Sequence, residues 1–391
     1  MKIVKVAIPL LIILSLILGA CSQTATTTST VTSNTAPAAK STTTTTTVKS
    51  TTVTTTAKPT TTAAATQDKV IELTFATIMP PEASITKEFV SWAEGIEQQS
   101  NGRVKITCYL GGSLLKHGEM YRGVQDGIAD IAWYSPTEDP GNWDLNSFQD
   151  LAMLGFKSDR QATKIYDTLL KDNATGLMQE FYDKNFIPYG VLFPPTFQLW
   201  TTSKAVNVPD DIKGMKIYAV GTMAELFSAG GGAPVTLDIG DVYMSLDRGL
   251  IQAVNTHPAA MMVYNLLGFI KYATWFGDGG CYAFMNCFLF NKNKWDSLPS
   301  DIQTIFKEAE AVHIEAAIAA SHSEMDAALA ICKQNNVQFT NLTQDEIAVW
   351  QTLAEPSHEK WLQSMESKGK GTQAKALWAE LQNLIAEYPS K

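Results

Sequence analysis

The chain has 391 residues, of which 45% are hydrophobic and 18% charged, and its formal net charge is −9 at pH 7. This acidic balance, without a visible basic patch, argues against a nucleic-acid partner, because the phosphate backbone attracts clusters of Lys and Arg. Behind an N-terminal segment of biased composition, about 320 residues remain, which is more than one comfortable hydrophobic core. The length therefore favours two lobes.

The N-terminus has the pattern of an export signal. Lys2 and Lys5 precede an almost wholly aliphatic run over residues 6–18, and Leu-Gly-Ala then leads to Cys21. A basic start, a short apolar run and small residues are typical of a secretory signal and do not suit a transmembrane helix. The Leu-Gly-Ala-Cys sequence resembles the bacterial lipobox. We therefore expect residues 1–21 to be a lipoprotein signal peptide with Cys21 lipidated; an ordinary signal peptide is the alternative.

Residues 22–69 are dominated by Thr, Ser and Ala. Such a segment has too few large apolar groups to offset the conformational entropy lost on ordering a chain. It is predicted to be a disordered tether between the lipidated Cys21 and the folded part.

The remaining cysteines are Cys108, Cys281, Cys287 and Cys332. None has CxxC spacing and no His lies at metal-site spacing from them, so the sequence predicts no metal site. Cys281 and Cys287 are six residues apart in a strand-like run, which would separate them by about 20 Å in a straight strand. Buried free thiols are favoured, and a Cys281–Cys287 bridge is left open.

The first folded segment predicts a strand–helix–strand–helix–strand order. A strand over 70–78 is followed by a helix with Ser84 as its cap, and Val104 begins an alternating strand. A second helix is predicted at 119–127 and a third strand at 129–135. The apolar face of the first helix consists of Ile85, Phe89, Trp92 and Ile96. Further helices between 159 and 184 and a strand at 186–193 complete this half.

A long loop at 135–147 follows the third strand. Loops at strand ends often carry function, and this one contains Trp143 together with three acids. Trp143 could line a site or fill the space under the loop. The acids Glu138, Asp139 and Asp144 could add negative charge at a rim or simply be solvated.

The segment 209–258 predicts a parallel sheet unit. It has strands at 215–220, 235–237 and 250–255, with a helix before the glycines of 230–232 and another at 239–249. Ligands of such sheets bind at the carboxyl ends of the strands. Tyr218 and Asn255 lie at or near two of these ends.

The C-terminal part is predicted to be mainly helical. Residues 281–290 are almost continuously apolar, as in a strand buried on both faces. A helical pattern then runs from about residue 300 to 334, roughly 50 Å, which is long enough to cross two lobes. Two more helices are predicted at 344–367 and 373–387.

Several segments resemble the substrate-binding proteins of TRAP transporters (tripartite ATP-independent periplasmic transporters) of the DctP type. They are NGRVKI, GGSL, EMYRGVQDGIADIAW, DIKGMKIYAV, GGAPVTLDIGDVYMSLDRGLIQAVN and LPSDIQTIFKEAE. The resemblance covers residue 70 to the C-terminus. It implies an α/β, two-lobed periplasmic-binding-protein-like fold (type II, TRAP type) with mixed sheets and a long helix joining both lobes. On this basis the first lobe is 70–195 with 276–300, the second is 196–275, and 301–391 supplies the long helix and the C-terminal helices.

The resemblance also implies a function. The protein would be exported, lipid-anchored at the outer face of the cytoplasmic membrane, and would deliver a small organic solute to the TRAP permease subunits without a cofactor. A solute-sensing or adaptor lipoprotein on the same fold is the alternative. An enzyme is not favoured, because the sequence has no GxSxG, HExxH, phosphate loop or dinucleotide fingerprint.

The chain departs from the family at the solute site. The family strand usually reads Lys-Ile-Arg, and its Arg holds the solute carboxylate; here Tyr218 takes that place, and Phe197 stands about where sialate-binding relatives have a second Arg. Lys216 and Arg248 are predicted to face away. The predicted cleft is Trp133, Tyr134, Trp143, Phe197, Tyr218, Asn255, His257 and Trp275, with core packing as the alternative for Trp133 and Trp275. Such a lining suits an uncharged, aromatic or cationic solute.

Overall fold

The computed structural model describes residues 69–172 and 174–389. The predicted signal peptide, the lipidation of Cys21 and all but the last residue of the predicted tether lie outside the described residues.

The first half of the described chain follows the predicted order of strands and helices. The predicted apolar face of the first helix is buried throughout. In chain order the elements are β1 (Ile71–Ala76), α1 (Ser84–Gln99), β2 (Val104–Tyr109), α2 (Met120–Gln125), β3 (Ile131–Tyr134), α3 (Asp159–Lys171), α4 (Leu177–Asp183) and β4 (Phe186–Leu192). Three short 3₁₀ turns occupy the long loop after β3.

The second half contains the parallel unit and the long helix, both as predicted. The long helix spans 35 residues. The elements are β5 (Gln198–Thr201), β6 (Lys216–Tyr218), α5 (Gly221–Ala229), β7 (Ala233–Val235), α6 (Val242–Asp247), β8 (Ala253–Thr256), α7 (Pro258–Val263), β9 (Tyr272–Trp275), β10 (Asn286–Asn291), α8 (Lys292–Asp296), α9 (Ser300–Gln334), β11 (Gln338–Asn341), α10 (Gln344–Ser367) and α11 (Gly371–Glu387).

These strands form two mixed sheets. The first has the order β2-β1-β3-β10-β4, in which β1 is parallel to β2 and β3 while β10 is antiparallel to β3 and β4. The second has the order β11-β9-β5-β8-β6-β7, and β6 is parallel to both β7 and β8. Two mixed sheets, each with its own helices, confirm the predicted two-lobed α/β fold.

The helix α9 packs against both lobes. Its N-terminal part places Phe306 and Ile318 in the hydrophobic cluster around the first sheet. Its C-terminal part places Ala328 and Cys332 in a cluster around the second sheet. The helix therefore joins the lobes, as its length predicted.

Two chain segments run side by side between the sheets. Phe197, before β5, forms an antiparallel bridge with Tyr282, before β10. The Phe197 N–H donates to the Tyr282 carbonyl at 2.8 Å, and the Cys281 N–H donates to the Phe197 carbonyl at 3.0 Å. This pairing ties together the connections through which the lobes are linked.

Two local predictions were wrong. Ser84 does not cap α1: the cap position is Ala83, and the Ser84 N–H donates to Glu324 Oε1 on α9 at 2.5 Å. The buried strand predicted from residue 281 begins at Asn286, because 281–285 take part in the crossing between the lobes. The preference for free thiols is confirmed, since Cys281 and Cys287 are buried and not bridged.

Candidate functional site: a cleft between the two sheets

A cavity of about 500 Å³ lies between the lobes. The first lobe contributes Trp133 of β3, the loop after β1 and a 3₁₀ turn; the second contributes the ends of β6 and β8 together with α7. The long helix closes one side with Ser321 and Glu324. Small-molecule sites usually occupy about 300–1,000 Å³, so this volume suits a small organic solute.

Tyr218 lies on the cavity wall at the end of β6. Its hydroxyl has no hydrogen-bond partner among residues 69–172 and 174–389, although its ring is buried. Burial raises the pKa of this phenol above its usual value of 10, and the neighbouring Tyr264 and Asp238 add to the rise. Tyr218 therefore offers the cavity a neutral hydroxyl and never a fixed charge.

His257 lies beside Thr256, the last residue of β8, and both line the cavity. Its Nδ1 accepts a hydrogen bond from the Ala260 N–H at 3.1 Å, which caps α7 and leaves the proton of the neutral ring on Nε2. Burial lowers the pKa of His257 to about 4, so the ring is uncharged at pH 7. Phe197 packs edge-on against it with ring centroids 5.4 Å apart.

Three carboxyl groups also line the cavity. Glu138 accepts from the Ser135 N–H at 3.3 Å, and burial, with a contribution from Asp139, raises its pKa to about 8. Glu324 accepts the first N–H of α1. Asp238, exposed at the rim, accepts from a backbone N–H at 3.0 Å.

No Lys or Arg of the described part of the chain lines this cavity. Lys216 and Arg248 are exposed, as strand and helix alternation predicted, and neither is on the wall. The ionisable groups that do line it are carboxyls, phenols and imidazoles, namely His117, Glu138, Tyr218, Asp238, His257, Tyr264 and Glu324. The arrangement favours cations and rings over anions.

The structure brings together four of the predicted residues, Trp133, Phe197, Tyr218 and His257. Tyr134 and Trp143 are not on the wall: they are buried below the loop, where the Trp143 Nε1–H donates to the Tyr134 hydroxyl at 2.7 Å. Trp143 therefore fills the space under the loop, which was the alternative to lining a site. Successive strand residues point to opposite faces, so only Trp133 of the adjacent pair in β3 reaches the cavity.

Asn255 and Trp275 also lie elsewhere. The Asn255 amide donates to the Gln198 carbonyl and to the Cys281 sulfur, both at 3.2 Å, inside the protein. The same alternation in β8 turns Thr256 towards the cavity and Asn255 away from it. Trp275 lines a separate cavity of about 570 Å³.

Sequence reasoning missed several wall residues. Tyr264 follows α7, Phe284 lies in the crossing segment before β10, and Glu324 comes from α9. Glu138 was identified only as a possible rim charge. A charged residue on a long helix, or a ring in a connection, has no sequence pattern that separates it from an ordinary solvated or packed position.

Within residues 69–172 and 174–389, no helix has both the length and the apolar character needed to cross a membrane. The same residues contain no cluster of His, Cys, Asp or Glu that could hold a metal ion.

A family model and a curated relative match most of the chain. The model is described as Bacterial extracellular solute-binding protein, family 7 (DctP), and it matches residues 75–364. The C4-dicarboxylate-binding periplasmic protein DctP of Rhodobacter capsulatus is 25% identical over 303 residues, which are 74% of this chain and 86% of that protein.

Solved structures share the fold. A marine metagenome TRAP solute-binding protein specific for aromatic acid ligands, in complex with metahydroxyphenylacetate, has a TM-score of 0.73 at 21% identity over 81% of this chain and 99% of that one. A TRAP solute-binding protein of Rhodoferax ferrireducens T118, in complex with copurified benzoate, has a TM-score of 0.71 at 18% identity over 81% and 98%. These likenesses agree with the predicted two-lobed architecture.

Proposed function

The chain belongs to the DctP family of bacterial extracellular solute-binding proteins, and we propose that its cleft captures an uncharged or cationic aromatic solute. The family is one of transport proteins that bind solutes, not a class of enzymes. The observation that carries the proposal is the wall around Tyr218, which has no Lys or Arg from the described residues.

A carboxylate solute would be poorly stabilised here. An ion moved from water into an enclosed site loses hydration, and fixed opposite charges or several hydrogen bonds must offset that loss. An Arg supplies two parallel charge-assisted hydrogen bonds, whereas Tyr218 supplies a single neutral hydroxyl. The carboxyl groups of Asp238 and Glu324 on the wall add repulsion.

The aromatic part of the proposal rests on the rings that face the cavity. Trp133, Phe197, Tyr218, Tyr264 and Phe284 all line it. Ring faces carry partial negative charge and attract cations, and they also pack well against other rings. Two of the similar solved proteins bind aromatic acids. We propose that the solute of this chain has an aromatic ring, as those ligands do, and lacks their carboxylate.

A thermal-shift screen tests the solute class. Solutes matched in size should be compared as acids, amines, neutral aromatics and polyols, since a ligand that binds the folded state raises its apparent stability. Amines or neutral aromatics should give the largest shifts. Dominant shifts by simple carboxylates would overturn the proposal.

We further propose that the lobes close over the solute without changing it chemically and that the closed form delivers it to TRAP permease subunits. Binding must favour the closed state enough to shift the equilibrium between open and closed forms. Uptake in cells that express the permease subunits should require this chain. Uptake that persists without it would contradict this role.

Lipidation of Cys21 would keep the protein at the outer face of the cytoplasmic membrane. One acyl chain gives weak anchoring and two give a stable anchor. Cys21→Ser should abolish incorporation of labelled fatty acid and release the protein from membranes. Unchanged labelling of the variant would show that Cys21 is not the modified residue.

A further inference from the structure

We propose that Glu138 is the counterion for a cationic group of the solute, and that one proton leaves the site when the solute binds. The inference rests on the proposed function. Of the uncharged and cationic solutes that the proposed function allows, it selects the cationic ones. The residue that recognises the charge belongs to the first lobe, whereas Tyr218 belongs to the second.

The hydrogen bonding of Glu138 leaves one oxygen unused. The residue ends the 3₁₀ turn after β3 and lies on the cavity wall. Its Oε1 accepts the Ser135 N–H at 3.3 Å, as in a capping box. No hydrogen bond from the described residues reaches Oε2, and no Lys, Arg or His nitrogen of these residues forms an ion pair with it. The capping hydrogen bond uses Oε1 of Glu138, and Oε2 remains available to a ligand.

The groups around Glu138 are acidic or neutral with two exceptions. Asp139 follows it in the chain, and Tyr134 of β3, Cys287 of β10 and Tyr264 after α7 are close enough for the charge of Glu138 to add to the rise that burial causes in their pKa values. The exceptions are the exposed His117, which lines the same cavity, and the exposed Arg122 of α2, which acts on Asp139 and is not on the wall. A carboxylate in these surroundings has no fixed cation to stabilise it.

The other wall carboxyls strengthen the preference for a cation without replacing Glu138. Glu324 is hydrogen-bonded to the N-terminus of α1, whose partial positive charge offsets part of its own charge. Asp238 is exposed to solvent at the rim. Glu138 is the carboxyl whose pKa burial raises, to about 8, so it holds a proton at pH 7. A strongly perturbed carboxyl in a cleft is a marker of function.

The proton balance of binding follows from these states. Below pH 8 the carboxyl of Glu138 and the ammonium of an amine solute each carry their proton before they meet. Pairing ionises the carboxyl, because a nearby positive charge favours its charged form, and the carboxyl proton passes to solvent. Affinity should rise by up to about tenfold per pH unit below pH 8 and level off above it.

Calorimetry with 2-phenylethylamine measures this proton directly. Titrations in buffers of different ionisation enthalpy should show nearly one proton released at pH 6.5 and almost none at pH 9. Glu138→Gln keeps the size of the side chain and an oxygen for the Ser135 N–H, and it should abolish both the release and the pH dependence. At pH 9 it should weaken the amine at least about tenfold, since a hydrogen bond between charged groups is lost.

Two controls separate this inference from the proposed function. Asp139→Asn removes a charge from the same loop at a residue that is not on the wall. Because Asp139 makes only the smaller contribution to the raised pKa of Glu138, the variant should reduce the proton release at pH 6.5 slightly and should not abolish it. The neutral 2-phenylethanol should bind without proton release in every variant. Amine binding without proton release, or release that persists in Glu138→Gln, would overturn the role of Glu138 and leave the proposed function standing. Failure of both probes to bind would overturn both.

Discussion

Tyr218 is the residue at which the sequence predicts the clearest departure from the family. A three-residue match, Lys-Ile-Tyr in place of Lys-Ile-Arg, predicted the loss of the carboxylate anchor. The structure puts this ring on the cavity wall with no hydrogen-bond partner for its hydroxyl among the described residues. The hydroxyl is therefore available to a solute.

Tyr218→Phe removes that hydroxyl and keeps the ring. If the hydroxyl bonds to the solute, affinity should fall about fivefold, corresponding to about 1 kcal/mol for one neutral hydrogen bond. Asn255→Ala is the matched control, because the sequence placed both residues in the site and the structure leaves Asn255 off the wall. That variant should lower thermal stability and leave affinity within about twofold. Titration calorimetry measures the affinity of each variant, and thermal unfolding measures its stability. If Asn255→Ala weakened binding and Tyr218→Phe did not, Asn255 would contact the solute and Tyr218 would not.

The sequence predicted site residues correctly where a motif fixed their position. It failed where the position of a side chain depends on how distant parts of the chain pack together. Tyr218 was found because it ends a strand of a recognisable parallel unit, and His257 because it directly follows another strand of that unit. Glu324 was not found, because its role depends on the path of a 35-residue helix between two lobes. His322, Ser323 and Asp326 close to it are also charged or polar, so the sequence does not distinguish Glu324 from a solvated position.

At the scale of elements, strand alternation decides which neighbour reaches the cleft. Trp133 and Thr256 line the cavity, while Tyr134 and Asn255, adjacent to them, are buried on the other side of their sheets. The sequence predicted these strands correctly. It could not tell their faces apart, because β3 and β8 are buried on both sides and lack the polar alternation that marks an exposed face.

The edge strand β11 was not predicted. Gln338–Asn341 pairs in parallel with β9, in a part of the chain where only helices had been assigned after residue 300. Its side chains are mostly exposed, so it has no apolar pattern. The strand forms because α9 ends beside the second sheet, where the residues that follow the helix can pair with β9.

A pH-dependent contact links α3 to α9. The Nε2 of His322 lies 2.5 Å from Asp159 Oδ2 at the start of α3. Hydrogen bonding to Asp159 raises the pKa of His322, so the contribution of this pair to stability is complete below about pH 6.5, the unfolded value, and disappears as pH rises through the folded one. His322→Gln should lower the unfolding midpoint most near pH 6 and least near pH 9.

Thermal unfolding of wild type and variant across pH 5–9 measures this difference. His117→Gln serves as a control, because His117 is exposed and forms no ion pair within the part of the chain that the structure describes. A stability difference for His322→Gln that does not change with pH would show that the Asp159 contact is not electrostatic.

At the scale of the whole molecule, the sequence predicted the architecture well. The two lobes, the parallel unit and the helix joining them were all expected from periodicity and family resemblance. The pairing between the two crossing segments was not expected, because residues 193–197 and 276–285 pair mainly through a few backbone hydrogen bonds that leave no side-chain pattern.

Gly280 is central to that crossing. Its φ is +63°, and a Cβ there would lie 2.6 Å from the Phe197 carbonyl oxygen. Gly277 has φ +75°, and no heavy atom lies within 4 Å of a Cβ placed there. Gly277→Ala therefore measures the cost of the backbone conformation alone. Gly277→Ala should cost about 1 kcal/mol of unfolding free energy, and Gly280→Ala a further ~1–3 kcal/mol from overpacking. Equal losses in chemical denaturation would show that the crossing can relax.

This member of a family with acid-binding relatives should select against a carboxylate. The most direct measurement is the ratio of the dissociation constants of 2-phenylethylamine and phenylacetate, which carry opposite charges on the same ring, by titration calorimetry at pH 8. A wall with carboxyls and no Lys or Arg from the described residues predicts that the amine binds at least about tenfold more tightly, the factor expected from about 1.4 kcal/mol of charge preference. Tighter binding of phenylacetate would contradict the account.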